Sequence, residues 1–428
     1  MAINKLPSDA DLKEVASKTN EIKTEISNCR NRLAEILKSK DITVGTDKLQ
    51  SLIEKADTLS KPQAKVYGVK VSESTSSTSL ACTYIDDAVG ITPATSTSYG
   101  GWADKFPFNK IRLVGFKNGS VTKEVDPNNK VRYKDGTAIP SDVDVMVQIP
   151  RIYWNFSDVT NTGFEVRISD KKFYGSNCFA HLTGYTEKTY IYVGAYLGYN
   201  EGGRLRSRSG VDPTGRISIN DARRYAQANG SGYQQMTWYT VMLLQILYLI
   251  AYKNLDCQTS LGMGYTERGS TTLTGGTDNK GMVYGESTGT QQMCFLGIED
   301  LWGNLYQHVD GLYIDTKYNI FVPNLNRRFE DSTNGLINIG NCGISQDISN
   351  GYLTKTIHSN RAGFIGVENT GTYSTYYCDS FVLQRDNRPT WGSSYNHDKR
   401  GGVFNLSIDN PSTSSYSING CRLTYIGS

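Results

Sequence analysis

The segment Leu296–Gly311 reads LGIEDLWGNLYQHVDG, and its pattern decides how the rest of the chain is interpreted. Apolar and polar residues alternate on either side of a turn. Five side chains are expected to be buried, namely Ile298, Leu301, Trp302, Leu305 and Val309. The dipeptide Gly303-Asn304 tolerates a positive φ and can therefore reverse the backbone. The segment predicts a buried turn and strand of a compact domain.

Two neighbouring carboxylates, Glu299 and Asp300, precede the tryptophan of this segment. Successive side chains of a strand point to opposite faces, so this spacing disfavours joint acid-base chemistry. We expect both residues to accept hydrogen bonds from turn amides, with Trp302 buried beside them.

A second motif lies near the C-terminal end of the sequence, where Arg400-Gly401-Gly402 precedes Val403-Phe404 and is followed by Gly420-Cys421-Arg422-Leu423. Two adjacent glycines allow another part of the protein to approach the backbone closely. Val403 and Phe404 are expected to enter the core, and Leu423 with Tyr425 to close a last strand.

Together and in this order, the two motifs resemble the C-type-lectin-like fold in its formylglycine-generating-enzyme branch, which includes phage receptor-binding proteins. The resemblance rests on Glu299, Asp300, Trp302, Gly303, Asn304, Arg400, Gly401, Gly402 and Arg422. It implies a C-terminal C-type-lectin-like domain. With the heptad pattern and the strand-like segments described below, the predicted class is α+β, with an N-terminal coiled-coil helix and a β-rich connector before that domain.

Enzymes of this branch place reactive cysteines shortly after the Arg-Gly-Gly, whereas residues 405–419 contain no cysteine. A reactive thiol needs nearby positive charge, and only Arg422 adjoins Cys421. The four histidines are too widely spaced for a zinc motif. Neither the Glu-Pro-Asn nor the Trp-Asn-Asp motif of calcium-dependent lectins occurs. We therefore predict no catalytic residue, metal or cofactor; a thiol oxidase or a surface-glycan depolymerase on the same scaffold is the alternative.

Charge and cysteine usage exclude other classes of protein. The sequence has 45 Lys and Arg against 42 Asp and Glu and no long basic run, which gives no support for nucleic-acid or anionic-membrane binding. Eight scattered cysteines without a C-x-x-C pair favour free thiols in a reducing compartment. The polar start MAINKLPSDADLKE lacks the apolar core of a signal peptide, so the secretory pathway is not expected.

Residues 9–38 follow a heptad pattern, which favours a coiled coil over an ordinary amphipathic helix. The predicted oligomerisation positions are Leu12, Val15, Thr19, Ile22, Ile26, Cys29, Leu33 and Ile36. A second helix is predicted over Asp47–Leu59, before Pro62 interrupts the pattern. The predicted domains are 1–62 for oligomerisation and attachment, 63–154 as β-rich connector and 155–428 for receptor binding.

The remaining elements follow from local patterns. KVYGVKVS, residues 65–72, alternates as a strand does. Arg216–Asn229 predicts a helix that starts near Asn220 or Asp221, and Gly262–Gly289 predicts long loops. Met236–Leu255 is apolar on every side; a membrane span is the alternative, but Gln245 at its centre favours a buried core helix. Further strands are predicted at Tyr318–Val322, Thr354–Ile357, Phe364–Val367 and Ser380–Leu383.

The region Trp391–Gly420 combines hydroxyl and amide side chains with tyrosine, a mixture typical of binding surfaces. An ordinary polar surface loop is the alternative. The candidate receptor-binding residues are Trp391, Ser393, Tyr395, Asn396, His397, Asp398, Asn405, Ser407, Asp409, Asn410, Ser412, Ser415 and Tyr416. In phage proteins of the family it resembles, this region carries the receptor-contacting face.

These observations predict a receptor-binding protein of a phage tail or tail-like particle that binds a bacterial surface glycan or protein without chemistry. By analogy with tail fibres we expect a homotrimer attached through its N-terminus to other tail or baseplate proteins. Its expected location is the virion tail, after synthesis in the host cytoplasm, with no nucleic-acid partner and no membrane insertion.

Overall fold

The alternating run at residues 65–72 forms the strand Tyr67–Ser72, in which Val69 and Val71 are buried. It pairs antiparallel with Cys82–Asp86 on one side and Gly163–Ser169 on the other. The computed structural model describes residues 64–158, 162–324 and 329–427. It also describes five isolated positions that are helical and exposed, Thr24, Asn28, Asn31, Arg32 and Glu35.

Strands dominate the described chain. They are β1 (Tyr67–Ser72), β2 (Cys82–Asp86), β3 (Arg112–Lys117), β4 (Ser120–Asp126), β5 (Asn129–Tyr133), β6 (Asp144–Pro150), β7 (Tyr153–Asp158), β8 (Gly163–Ser169), β9 (Leu182–Thr183), β10 (Thr186–Glu187), β11 (Tyr190–Gly194), β12 (Tyr199–Glu201), β13 (Arg204–Arg206), β14 (Tyr233–Gln235), β15 (Val283–Tyr284), β16 (Cys294–Phe295), β17 (Ile298–Glu299), β18 (Tyr306–His308), β19 (Tyr313–Ile314), β20 (Asn319–Pro323), β21 (Leu336–Asn341), β22 (Ile348–Tyr352), β23 (Lys355–Ile357), β24 (Ile365–Glu368), β25 (Ser380–Leu383), β26 (Arg388–Trp391), β27 (Leu406–Asn410), β28 (Asn419–Gly420) and β29 (Leu423–Ile426).

Three α-helices lie between residues 64 and 427, with the gaps noted above: α1 (Ile219–Gln227), α2 (Trp238–Tyr252) and α3 (Cys257–Ser260). Helix α1 is capped by Ser218, whose Oγ accepts a hydrogen bond from the Asp221 amide at 3.1 Å. The predicted start near Asn220 or Asp221 is therefore late, because the serine hydroxyl supplies the cap.

The predicted α+β class with an N-terminal coiled-coil helix is wrong. The described chain is mostly β-sheet, and no coiled-coil helix is among its elements. The eight heptad positions between Leu12 and Ile36, like the helix predicted over Asp47–Leu59, lie outside the described residues. The error arose because Ser/Thr-rich and Gly-rich sequence hides short strands, whose individual patterns are weak.

Three large sheets build the unit Val66–Ser428. A seven-stranded sheet has the order β14-β29-β11-β6-β3-β4-β5, a six-stranded sheet β22-β25-β27-β26-β18-β28, and a four-stranded sheet β2-β1-β8-β7. Strand β6 pairs with β11 and β1 pairs with β8, so the predicted connector, 63–154, shares sheets with the predicted receptor-binding domain. The domain boundaries stay predictions.

Helix α2 forms the centre of the main core, and every one of its fifteen residues is buried. Tyr248 makes edge contacts with the rings of Trp302 and Phe404, which joins the two sequence motifs through one side chain. Gln245 donates to the carbonyl of Val403 at 3.1 Å, which accounts for the one polar residue at mid-helix. The predicted core helix is confirmed, and no helix in the described part of the chain has the length and apolarity to cross a membrane.

Candidate functional site

The turn of the segment Leu296–Gly311 has the predicted backbone geometry. Gly303 and Asn304 have φ values of 85° and 62°. Trp302 is fully buried and donates its indole N–H to the carbonyl of Gly262 at 3.0 Å. The Gly303 amide donates to Ser393 Oγ at 3.1 Å. The turn therefore connects the Gly-rich loop to the C-terminal region.

Glu299 accepts hydrogen bonds from turn amides, as expected. Its carboxylate receives the backbone N–H of Gly275 at 2.7 Å and that of Thr277 at 2.8 Å, together with the Thr277 hydroxyl at 2.7 Å. The carboxylate thereby fixes the middle of the Gly-rich segment Gly262–Gly289.

The expectation that Glu299 and Asp300 face opposite sides is wrong. The amide of Gln292 donates to both carboxylates, at 3.0 Å to Glu299 and 2.6 Å to Asp300. The reason is that Asp300 has a φ of 50°, outside the extended region in which side chains alternate. Burial, followed by the Glu299 charge, raises the pKa of Asp300 well above its usual value.

Arg422 holds the same turn from the other side and is completely buried. Its guanidinium donates to Gln307 Oε1 at 2.7 Å and to the Gly194 carbonyl at 2.9 Å. It also donates to the carbonyls of Glu299 and Asp300 at 2.7 and 2.8 Å. Burial lowers the pKa of Arg422 to about 10, so the side chain stays charged at neutral pH.

Lys130 was not predicted from the sequence as part of this network. It is completely buried, and its ammonium donates to the Thr277 hydroxyl and contacts Cys294 Sγ, both at 3.2 Å. Its charge counters the burial that raises the pKa of Glu299. We call Lys130, Gln292, Glu299, Asp300, Asn304, Gln307 and Arg422 the buried polar network.

The glycines of the second motif allow the close approach that was predicted. A Cβ on Gly401 would lie 2.2 Å from Ser393 Oγ, and one on Gly402 would lie 2.1 Å from Asp379 Oδ1. Val403 and Phe404 are completely buried.

Four candidate receptor-binding residues are buried and bond within the protein. Trp391 donates to the Val403 carbonyl at 2.7 Å, and Ser393 accepts from the Gly303 amide. Asn405 donates to Ser380 Oγ at 2.7 Å, and Asn410 accepts from the Asn419 side chain at 3.1 Å. These four side chains therefore stabilise the fold and are not available to a receptor.

Four other candidates, Tyr395, Asn396, His397 and Asp398, are partly or fully exposed. They lie beside the loop 266–269, because the Arg268 amide donates to the Tyr395 carbonyl and the Asp398 amide to the Thr266 carbonyl. The two segments border an open depression of about 660 Å³. We call it the cleft, lined by Thr266, Glu267, Arg268, Gly269, Asn396 and Asp398.

A second depression, of about 390 Å³, adjoins the cleft through Asp398 and is also lined by Tyr352 and Arg400. Lys399 lies between Asp398 and Arg400 in the sequence, and its ammonium is 4.9 Å from the centre of the exposed Tyr373 ring. This face therefore presents charged groups of both signs beside the side chains of Tyr352 and Tyr373.

The histidine of the candidate set is held against the six-stranded sheet. A hydrogen bond of 2.8 Å joins the Tyr306 hydroxyl to His397 Nε2. Burial, with a contribution from Arg400, lowers the pKa of His397 to about 4. His397 is therefore neutral at pH 7.

The last candidates follow along β27 and its turn. Ser407 and Asp409 are half-buried and joined by a hydrogen bond of 3.0 Å. The Asp409 charge acts on Tyr306 and adds to the burial that raises the pKa of that hydroxyl. Ser412 is half-buried, while Ser415 and Tyr416 are exposed.

The described cysteines are free and buried at positions 82, 178, 257, 294, 342, 378 and 421. Burial raises the pKa of Cys421 to about 12, and the neighbouring Arg422 only partly opposes this. At neutral pH this thiol is protonated and not nucleophilic. Among the described residues, no cluster of three or more His, Cys, Asp or Glu side chains could hold a metal ion.

Comparison with known proteins gives little. No family model matches the chain, and no curated protein matches it. Among solved structures, the chain is similar to a Major Tropism Determinant U1 Variant, with a TM-score of 0.27 and 10% identity over 74% of this chain and 72% of that one. A likeness this slight establishes neither a shared fold nor a shared function.

Proposed function

We propose that the protein is a receptor-binding protein, or adhesin, of a phage tail or tail-like particle and binds a bacterial surface receptor by non-covalent contact. The observation that carries the proposal is the cleft, whose polar side chains project from two segments that adjoin Asn304 of the buried polar network, since the Asn304 amide donates to the Tyr265 carbonyl and the Tyr395 amide to the Asn304 carbonyl. The C-type-lectin-like assignment, the homotrimer and the attachment to other tail proteins stay predictions from the sequence.

Two properties of the cleft support binding. Within the described residues, the Glu267 carboxylate and the Arg268 guanidinium are exposed and make no ion pair or hydrogen bond, so their charges are available to a partner. The backbone beneath them is held by the bonds from Arg268 to Tyr395 and from Asp398 to Thr266. A fixed backbone reduces the entropy that is lost on binding.

The raised pKa values of the described thiols favour this proposal over a thiol oxidase. The depolymerase alternative has no specific observation in its favour. A receptor bound weakly at each cleft gains strength when many copies act together on one particle.

The test is adsorption of the purified full-length protein to a panel of bacterial cells and to their isolated surface polysaccharides. Replacing both Arg268 and Asn396 with alanine is expected to weaken binding about tenfold, equivalent to about 1.4 kcal/mol. Arg204→Ala is the matched control, because Arg204 is an exposed arginine on β13, outside the cleft.

Equal loss of adsorption in the double variant and in the control would move the receptor site away from the cleft. Size-exclusion chromatography of the polysaccharide after incubation distinguishes the adhesin from the depolymerase alternative. Shortened polymer would identify a depolymerase, whereas unchanged polymer with reversible adsorption supports the adhesin.

A further inference from the structure

The cleft and the second depression adjoin each other at Asp398, which lines both. The second depression is lined by Asn350, Gly351, Tyr352, Ser380, Asp398 and Arg400. Each depression, at about 660 and about 390 Å³, lies within the range of about 300 to 1,000 Å³ that is common for one small molecule. Two such depressions side by side fit an elongated ligand better than a compact one. We call the two together the groove.

The polar groups of the groove are accessible to a ligand. The exposed side chains are those of Glu267, Arg268, Asn350, Asn396 and Asp398. The Asp398 side chain is 53% exposed and that of Arg400 is 38% exposed, and a distance of 3.4 Å from Arg400 Nε to Asp398 Oδ1 joins the two. Among the described residues, neither side chain has another hydrogen-bond partner. Amide, carboxylate and guanidinium groups thus offer both donors and acceptors to the hydroxyl groups of a ligand.

The composition of the lining favours a neutral glycan over a protein or a polyanion. None of the described lining residues has a hydrophobic aliphatic side chain, whereas protein interfaces usually contain an apolar core. Two carboxylates, of Glu267 and Asp398, are matched by two guanidinium groups, of Arg268 and Arg400. The neighbouring cation Lys399 lines neither depression. A polyanion would therefore meet as many negative as positive groups.

Tyr352 supplies the aromatic surface of the groove. Its side chain is half-buried and lines the second depression. Burial, followed by the Asp398 charge, raises the pKa of its hydroxyl, which is consistent with a position beside the shared carboxylate. A tyrosine ring can contact the C–H face of a sugar, and its hydroxyl can take part in a hydrogen bond.

We propose that the groove binds a neutral polysaccharide, with several consecutive sugar residues of one chain lying from Arg268 and Asn396 in the cleft to Asn350 and Tyr352 in the second depression. The Asp398 carboxylate accepts hydrogen bonds from sugar hydroxyls where the two depressions meet. This inference rests on the proposed function, because it names the class of receptor for the same cleft.

Calorimetry on the purified full-length protein tests the inference. The probes are neutral oligosaccharides of one composition, from the single sugar to the hexasaccharide, chosen by screening an array of immobilised bacterial glycans. The hexasaccharide is expected to bind at least about tenfold more tightly than the single sugar, and more tightly than a uronate-containing chain of equal length. Absence of binding by every neutral chain, equal affinity for the single sugar and the hexasaccharide, or tighter binding of the uronate chain overturns the inference.

Adsorption to bacterial cells distinguishes a failure of this inference from a failure of the proposed function. If the protein adsorbs to cells but binds no oligosaccharide, and protease treatment of the cells abolishes adsorption, the receptor is a protein. The inference is then wrong, whereas the proposed function stands. Binding to neutral oligosaccharides without adsorption to any cell of the panel supports the ligand class and contradicts the proposed function.

Variants of the second depression test whether one chain spans the groove. Replacing both Asn350 and Tyr352 with alanine is expected to weaken hexasaccharide binding about tenfold and to remove most of its advantage over shorter chains. Asn350→Ala alone, at an exposed position with little risk to folding, should weaken it about threefold. Asn128→Ala is the matched control, because Asn128 is an exposed asparagine between β4 and β5 and lines neither depression. An unchanged dependence on chain length in the double variant would exclude the second depression and refute the proposal.

Discussion

Two pairs of charged residues, Glu299 with Arg422 and Glu267 with Arg268, have the same chemistry in opposite surroundings. Glu299 and Arg422 are buried, and both are fully engaged in hydrogen bonds that hold a turn. Glu267 and Arg268 are exposed and have no ion-pair partner among the described residues. The buried charged groups stabilise the fold through hydrogen bonds, whereas the exposed charged groups can interact with a partner molecule. The comparison predicts that substitutions in the two regions will affect different measurements.

The largest effect is expected for Arg422→Leu. It removes the guanidinium that donates to the buried carbonyls of Gly194, Glu299 and Asp300 and to the Gln307 oxygen, and removing one partner of a buried charged group costs about 3–5 kcal/mol. Urea unfolding measures the loss. Arg422→Lys should lose less, because it keeps the charge but not the planar fork. If Arg422→Leu cost less than about 1 kcal/mol, the difference between the two regions would disappear.

Acid is expected to have the next largest effect, through His308 in the interior and His397 at the exposed face. Burial lowers the pKa of each to about 4. Between pH of about 6.5 and about 4, these histidines bind protons in the unfolded chain but not in the folded chain. The free energy of unfolding is therefore highest above this window. It falls by up to about 3 kcal/mol for each histidine as the pH drops through the window.

The measurement is the difference in unfolding free energy between the natural protein and each of His308→Gln and His397→Gln, from pH 7 to 4.5. Taking differences removes the opposite contribution of buried carboxyls whose pKa is raised, such as Asp310. Both variants should gain on the natural protein as the pH falls. A flat difference for His397→Gln would mean that this face is more open than its burial indicates.

The smallest effect on stability is expected at the cleft. Arg268→Ala should change the free energy of unfolding by no more than about 0.5 kcal/mol, as is usual for exposed positions without partners. Thermal denaturation of this variant beside Arg204→Ala provides the check. A clear loss of stability in Arg268→Ala alone would mean that the cleft also has a structural role.

Short-range patterns predicted the local elements well. The apolar run at 236–255 contains α2, and β25 occupies Ser380–Leu383 as predicted, because continuous burial leaves a direct mark on the sequence. The positive φ at Gly303 and Asn304 was also predictable from residue type. The fold class could not be predicted in this way, because many short strands pair with strands far away in the sequence and no local pattern identifies the partner.

The candidate site was predicted in part for the same reason. Asn396 and Asp398 were predicted and line the cleft. The loop 266–269 on its other side was not predicted, because it is distant in the sequence and only the fold brings it close. Trp391 and Asn405 lie in the same polar, Tyr-containing stretch of sequence as the exposed candidates. Only the three-dimensional structure shows that these two side chains are buried. Lys130 looks like any lysine of a surface strand, because its burial depends on Thr277 and Cys294 far along the chain.

The position of β29 has a consequence for biosynthesis. This strand, Leu423–Ile426, lies between β14 and β11 inside the seven-stranded sheet, so both neighbours have an unpaired edge until it arrives. The ribosome must therefore translate through Ile426 before the sheet can close. Chains that end before this strand would have exposed strand edges, which are prone to aggregation and accessible to proteases. Synthesis through this strand is thus the step that completes the seven-stranded sheet.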